Sequence, residues 1–136
     1  MDPGIGGMTS KKAMNQSITA ENQSQGVVEV VGRDLDALLG FYLSIGFQLE
    51  RRDGDFAVVQ WHGTRLFLAQ NPDAPVRECW SGIRIMVEDV DTVWRESNRL
   101  QLKIGTPLAD RYYGLRDFTL VDPAGFGLRF AQVLAE

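Results

Sequence analysis

The sequence contains one short pattern twice, at residues 33–38 (RDLDAL) and at residues 88–93 (EDVDTV), 55 residues apart. A second pair of stretches also matches, residues 63–70 (GTRLFLAQ) and 125–132 (GFGLRFAQ), 62 residues apart. The offsets differ by seven residues, which places an insertion in the second copy, in the loop before Leu115. The pattern therefore predicts an internal duplication, with one unit over 27–71 and the other over 80–134.

The first unit has a clear order of predicted elements. The β-branched run at 27–31 indicates a strand, and Asp34 is a typical N-cap for the helix that follows. Apolar residues recur at helical spacing from Leu35 to Leu43, and Gly46 is the type of residue that ends a helix. Three further strands are predicted at 47–52, 56–61 and 64–70.

The second unit repeats this order. Its predicted elements are a strand at 83–87, a helix capped by Asp89, a short strand at 102–104, a loop at 110–114 and strands at 115–121 and 127–133. Units of about 50 residues are too small to bury a core comfortably alone. We therefore expect the two units to pack against each other or against a second chain.

Composition and charge exclude several classes of protein. The chain has 136 residues and a net charge of -4, which argues against a general binder of nucleic acid or of an anionic membrane. No apolar run is long enough to cross a bilayer, and the first residues lack the pattern of a signal peptide. Cys79 is the single cysteine and His62 the single histidine, so an intramolecular disulfide and a zinc site of four Cys or His ligands are excluded. We expect a cytoplasmic protein.

Residues 1–26 differ from the remainder of the chain. They are rich in Gly, Ser, Asn, Gln and Lys and contain no aromatic residue. This composition predicts a flexible N-terminal arm, with an arm that grips a partner subunit as the alternative. A single domain is expected over 27–136.

Several motifs resemble those of the vicinal oxygen chelate superfamily, which includes glyoxalase I, the extradiol dioxygenases and the bleomycin resistance proteins. They are RDL at 33–35 before FY at 41–42, LSIGF at 43–47, VEDVD at 87–91 and FTLVDPAG at 118–125, where Phe126 replaces the family's Asn. The resemblance spans residues 27–134. It implies an α+β fold of two tandem βαβββ modules, whose curved mixed sheets enclose a cleft, often in a homodimer.

The resemblance also locates the metal-ligand positions of the superfamily's enzymes, which carry His, Gln or Glu. In this chain they are occupied by Val27, Phe67, Gly82 and Arg129. None of these side chains coordinates a divalent cation, and an arginine repels one. A slip in the alignment would supply at best Glu29 as a lone ligand. We therefore expect no metal and no cofactor, and neither glyoxalase I nor dioxygenase activity.

Strand alternation predicts which side chains face the cleft instead. If Phe67 and Arg129 point inward, the other inward side chains are Glu29, Arg65, Arg84 and Met86. Glu29 and Arg84 are equivalent in the repeat, so we expect Glu29 to face Arg84 and Arg129. Two arginines for one glutamate leave positive charge for a carboxylate, sulfate or phenolate of a ligand. The alternative is a closed salt-bridge cluster that binds no ligand.

Four aromatic residues lie outside the predicted strand centres, in turns or in the linker between the two predicted units: Trp61, Trp80, Tyr112 and Tyr113. Flat rings at the mouth of a cleft stack well on planar ligands. Such rings also suit a dimer interface. The two interpretations are compatible, because in the members similar to bleomycin resistance proteins the cleft lies at the subunit boundary.

These observations lead to three hypotheses about function. The first is a metal-free protein that binds a small aromatic molecule, such as an antibiotic, as a homodimer and without catalysis. The second is an enzyme of the isomerase or lyase type that uses Glu29 as acid or base beside Arg84 and Arg129. The third is a fold retained only for protein–protein contact, which predicts no space between Phe67 and the two arginines.

Overall fold

The structure is a computed structural model that describes residues 25–135, and the predicted arm lies outside this range except for residues 25 and 26. The described chain forms, in order, β1 (Val28–Gly32), α1 (Leu35–Ser44), β2 (Gln48–Asp53), β3 (Phe56–Trp61), β4 (Thr64–Gln70), β5 (Gly82–Met86), α2 (Val90–Arg99), β6 (Ile104–Asp110), β7 (Leu115–Val121) and β8 (Gly127–Val133). Neither helix is long and apolar enough to span a membrane.

The strands form two open four-stranded sheets, one from each unit. The first has the order β1-β4-β3-β2 and the second the order β5-β8-β7-β6. In both sheets the first strand of the unit runs parallel to the last, and the other neighbours are antiparallel. Glu29 pairs with Phe67, and Arg84 pairs with Arg129. These register pairs are separated by the same offsets as the repeated motifs, so the predicted duplication and fold class are confirmed.

The two helices begin in the same way. Asp34 and Asp89 each accept a hydrogen bond from the backbone N–H three residues later, at 3.2 Å, as their predicted capping role requires. The side-chain oxygens of Gln70 and Gln132 accept from the first N–H of α1 and α2, each at 2.8 Å. The last strand of each unit therefore fixes the start of its own helix.

The two units share one core, built on the sides of the sheets that carry the helices. The buried apolar cluster includes residues of both units. Tyr42 on α1 donates its hydroxyl hydrogen to Asp122, in the turn before β8, over 2.6 Å. Burial is the main reason that the pKa values of the Tyr42 hydroxyl and of the Asp122 carboxyl lie above their ordinary values. This buried hydrogen bond ties the first unit to the second.

β6 differs from the sequence prediction. It runs over Ile104–Asp110 instead of 102–104, and Asp110 belongs to the strand instead of the loop. Gly105 and Pro107 weaken the strand pattern in the sequence, but an edge strand tolerates both residue types. The pairing of β6 with β7 is irregular on both sides of Thr106.

Candidate functional site

The predicted site residues lie on the face of each sheet that points away from its helix, here called the open face. Phe67 lies between two fully buried leucines of β4, and Arg129 lies between two fully buried apolar residues of β8. Side chains alternate along a strand, so Phe67 and Arg129 both point to the open faces. Register partners share a face, which places Glu29 beside Phe67 and Arg84 beside Arg129.

A buried carboxylate, Asp117 on β7, is the centre of a polar cluster on the second open face. Its side chain is 2% exposed. The Oδ2 atom accepts hydrogen bonds from the Tyr113 hydroxyl at 2.7 Å and from Arg84 Nη1 at 3.1 Å. The Oδ1 atom accepts from Arg111 Nε at 2.8 Å. Three donors, two of them cationic, satisfy both oxygens of this carboxylate and hold it in place.

The surroundings of Asp117 keep it ionised. Burial alone raises the pKa of its carboxyl. The hydrogen bonds from Tyr113 and Arg111 and the charges of Arg111 and Arg129 act in the opposite direction and prevail, so the pKa lies below its ordinary value. Asp117 therefore carries its negative charge at neutral pH.

A cavity of about 300 Å³ lies beside this cluster and is lined by Arg84 and Arg129. Arg129 Nε donates to Thr119 Oγ1 at 3.0 Å. Gly82 and Gly127 also line the cavity, and a Cβ at position 82 would lie 2.5 Å from the carbonyl oxygen of Gly127. No larger residue fits at position 82 without displacing that backbone. The cavity thus presents guanidinium groups, a hydroxyl and bare backbone to a ligand.

The predicted pairing of Glu29 with Arg84 and Arg129 is wrong for the described part of the chain. Arg84 pairs with Asp117 of its own sheet. Glu29 is exposed and lines a different cavity, also of about 300 Å³, together with Arg77. Glu29 and the arginines belong to different sheets, and within one chain they line neighbouring cavities instead of one cleft.

Trp61 lines a cavity with Arg84 and Met86, and its ring also packs against residues of the core. Its ring centroid is 5.6 Å from that of Phe47 and 5.5 Å from that of Phe130 in the second unit. As the last residue of β3, opposite Thr64, Trp61 alternates onto the side that carries the helix. Its ring therefore contributes to the core shared by the two units.

The other three predicted aromatic residues are accessible. Trp80 is 77% exposed and lines both the arginine cavity and the Glu29 cavity, and the Arg77 guanidinium lies 4.7 Å from its ring centroid. Tyr113 contacts the polar cluster through its hydroxyl, and its ring faces the Arg84 guanidinium at 5.4 Å. Tyr112 is fully exposed and packs edge-on against Tyr113.

The remaining predicted residues lie elsewhere on the open faces. Arg65 Nε pairs with Glu50 Oε1 at 2.7 Å. Phe67 packs edge-on against Phe56, with ring centroids 5.1 Å apart. Met86 lines a third cavity, of about 470 Å³, beside the turn between β3 and β4. The structure thus brings Arg84, Arg129 and Trp80 to one cavity.

Sequence reasoning missed Asp117, Arg111 and Thr119. Alternation along β7 places Asp117 and Thr119 on the same face as Arg129, since Asp117 pairs with Ala131 and Thr119 with Arg129. An acidic residue in a strand that is largely buried is a signal that could have been used, because buried charges need partners. Arg111 carried no such signal, because it lies in a loop.

The four positions that hold metal ligands in the superfamily's enzymes do not fit a metal ion here. The guanidinium of Arg129 is a donor, Val27 and Phe67 offer only apolar side chains, and Gly82 has no room for a ligating side chain. Across residues 25–135, no group of three or more His, Cys, Asp or Glu residues is arranged to hold a metal ion.

The solved structures that are similar to this chain include proteins that bind bleomycin. A bleomycin resistance determinant encoded on the transposon Tn5 has 22% sequence identity and a TM-score of 0.71, over 82% of this chain and 98% of that one. A bleomycin-binding protein complexed with bleomycin has 22% identity and a TM-score of 0.69, over 81% and 98%. The bleomycin-binding protein from Streptomyces verticillus, complexed with copper(II)-bleomycin, has 26% identity and a TM-score of 0.65, over 83% and 97%.

The family comparison agrees with the fold. No curated protein matched the sequence. A family model described as the Glyoxalase/Bleomycin resistance protein/Dioxygenase superfamily matches residues 24–130, which covers both units. The resemblance of the motifs is thereby confirmed, and the chain belongs to the glyoxalase/bleomycin resistance protein/dioxygenase superfamily.

Proposed function

We propose that this chain is a metal-independent protein that binds a small aromatic molecule and breaks no bond in it. It acts in the cytoplasm as a homodimer. An antibiotic is one ligand of this kind, since similar structures include bleomycin-binding proteins. Sequestration depends on affinity and on protein concentration instead of turnover.

The position of Trp80 carries this proposal. Its indole ring is 77% exposed and lies at the border of two cavities of about 300 Å³ each. Cavities of this size are at the lower end of those that hold small organic ligands. An exposed tryptophan beside such a cavity offers a stacking surface to a planar ligand. A fold kept only for protein contact predicts no such space beside Arg84 and Arg129.

Exposed apolar side chains on the open faces support the homodimer. Val31 is 40% exposed, Met86 51% and Val133 67%. A second copy that covered them would remove apolar surface from water. Light scattering after gel filtration is expected to give twice the mass of the chain, and a monomer would contradict this part of the proposal.

Tryptophan fluorescence and thermal unfolding test the binding function. The protein is treated with EDTA and titrated with metal-free bleomycin, 2-naphthamide and 2-naphthoate, which supply cationic, neutral and anionic aromatic groups. At least one probe is expected to quench fluorescence and to raise Tm through mass action. Trp80→Phe should remove most of the quenching, whereas Tyr112→Phe should not. No response to any probe, or a response that requires added zinc or nickel, would overturn the proposal.

The enzyme hypothesis is tested at Glu29. The ion pair that would set Glu29 between two arginines is absent from the described part of one chain, so the structure gives this hypothesis no specific support. Each bound probe is incubated with the protein and examined by liquid chromatography with mass spectrometry, which separates an isomer of equal mass and detects a fragment. We expect no product. Product formed by the wild type and lost in Glu29→Gln, with binding retained, would favour the enzyme.

A further inference from the structure

We propose that Arg84 and Arg129 bind the carboxylate of the ligand, so that the protein selects aromatic carboxylic acids over neutral or cationic aromatic molecules. The inference rests on the proposed binding function and names the chemical class of its ligand. Asp117, Arg111 and Tyr113 serve as positioning residues, since they hold the arginine cluster without reaching the ligand.

The charges around the cavity do not balance. Arg84, Arg111 and Arg129 surround one carboxylate, Asp117, so these four described residues together carry an excess of two positive charges. This local excess contrasts with the net charge of -4 of the whole chain. An anion is therefore favoured at this position and a cation is disfavoured.

The three arginines differ in how fully their donors are used. Arg111 binds both the carboxylate and the backbone carbonyl of Asp117, and Nη2 also donates to the carbonyl oxygen of Pro107, so its role is structural. Arg84 uses only Nη1, toward Asp117, among the hydrogen bonds of residues 25–135. Arg129 uses only Nε, toward Thr119, in the same range. The remaining N–H groups of Arg84 and Arg129 are left for a ligand, and a carboxylate matches their planar geometry.

The lining of the cavity combines these donors with a place for a ring. Gly82 and Gly127 leave bare backbone beside the arginines, and a Cβ at position 82 has no room. Trp80 lines the same cavity and is largely exposed. A ligand with a carboxylate and a one- or two-ring aromatic group can reach the guanidinium groups and stack on Trp80 within about 300 Å³.

Asp117 explains why the arginines can stay close together. Its buried carboxylate pairs directly with Arg84 and lies near Arg129, which reduces the repulsion between the guanidinium groups. Tyr113 donates to the same oxygen as Arg84, and its ring lies against the Arg84 guanidinium. The cluster is thus preorganised for an anion and needs little rearrangement on binding.

Two probes with the same ring system test the inference. 2-Naphthoate and 2-naphthamide differ in charge at one group, and their affinities are measured by calorimetry on the full-length protein. We expect naphthoate to bind at least about tenfold more tightly than naphthamide, as for a charge-assisted hydrogen bond. This preference should weaken at high salt. Equal affinity overturns the inference and leaves the proposed function intact, whereas failure of every aromatic probe overturns both.

Variants locate the effect. Arg129→Gln should reduce naphthoate affinity by about 10- to 100-fold and leave naphthamide affinity unchanged. Arg95→Gln, on the exposed side of α2, removes the same charge away from the cavity and should change neither. Equal losses in Arg129→Gln and Arg95→Gln would contradict the inference. If Arg129→Gln does not fold, the inference is tested by the same measurement on Arg84→Gln and by the relative affinity of the wild-type protein for the two probes.

Glu29→Gln tests the competing explanation, in which Glu29 of a second copy neutralises the arginines. Our inference expects naphthoate affinity to be unchanged in this variant. An increase of about tenfold or more would show that a protein carboxylate already occupies the anion position, and would overturn the inference.

Discussion

The open faces of the two units share one backbone arrangement and carry opposite chemistry. In the first unit, Phe56, Val58 and Phe67 form an apolar surface, with Phe56 and Phe67 packed edge-on. The register places Asp117, Thr119 and Arg129 at the corresponding positions of the second unit. At these three equivalent positions, one half of the duplicated fold therefore carries apolar side chains and the other carries polar and charged ones.

The faces that carry the helices did not diverge in this way. Leu66 and Leu68 of the first unit correspond to Leu128 and Phe130 of the second, and all four are fully buried. These side chains fill the shared core, where a polar replacement would be left without partners. On the second open face the buried Asp117 has partners in Arg84, Arg111 and Tyr113, so its charge is accommodated there. The contrast explains how the two halves of a duplicated fold come to carry different side chains at equivalent positions of their open faces.

The largest expected effect on the free energy of unfolding concerns the faces that carry the helices. Leu66→Ala and Leu128→Ala occupy equivalent, fully buried positions. Each should lower the free energy of unfolding by about 3 kcal/mol, since each loses apolar contacts and leaves a cavity in the same core. Urea denaturation measures both. A single transition is expected in each variant, and a second transition confined to one unit would contradict the shared core.

The second largest effect concerns the polar cluster on the second open face. Asp117→Asn should lower the free energy of unfolding by about 2 kcal/mol at neutral pH, because Arg84 and Arg111 lose a buried anionic acceptor while retaining partial access to water. Denaturation of the wild type and the variant gives the difference. Asp110→Asn, which changes an exposed acid, serves as the control and should have a much smaller effect.

The pH dependence of this difference has a definite sign. The folded pKa of Asp117 lies below its ordinary value, so its stabilising contribution is complete above the unfolded pKa of about 3.9 and is lost as pH falls through the folded pKa. The difference in the free energy of unfolding between wild type and Asp117→Asn should therefore disappear at acid pH. A difference in the free energy of unfolding that grew as the pH fell below the unfolded pKa would show that the carboxyl is not stabilised in its charged form.

A smaller effect tests the link between the units. Tyr42→Phe removes the hydroxyl that donates to Asp122 across the core and should lower the free energy of unfolding by about 1.5 kcal/mol, since a buried acceptor loses a partner. Two backbone N–H groups still donate to the other carboxyl oxygen, Oδ1, and hold the Asp122 side chain in place. Tyr112→Phe, at a fully exposed tyrosine, should be neutral. Equal losses in the two variants would mean that the hydrogen bond does not join the units.

The smallest effect is expected on the first open face. Glu29→Gln should change the free energy of unfolding by less than about 0.5 kcal/mol, as for an exposed residue without an ion pair in the described part of the chain. Chemical denaturation compares it with Asp117→Asn. A loss as large as that of Asp117→Asn would show that Glu29 is paired in the protein, and the contrast between the two faces would then be weaker than the single chain indicates.

Much of the fold could be predicted from the sequence, because its signals are local. Asp34 and Asp89 mark the helix starts, and the alternation around Phe67 and Arg129 separates the two sides of each sheet. The site was predicted less completely. Arg84, Arg129 and Trp80 meet at one cavity, but Asp117 was missed, and the contact of the Trp61 ring with Phe130 of the second unit was not foreseen.

The sequence by itself determined the duplication, the order of strands and helices and the open-face positions of Glu29, Arg84 and Arg129, since periodicity and capping depend on near neighbours. Only the tertiary structure decided which charges meet. Arg84 pairs with Asp117, 33 residues away along the chain, and not with its repeat equivalent Glu29. The physical reason is that an ion pair requires contact within a few ångströms, and that distance is set by the packing of strands and sheets, which the repeat pattern does not contain.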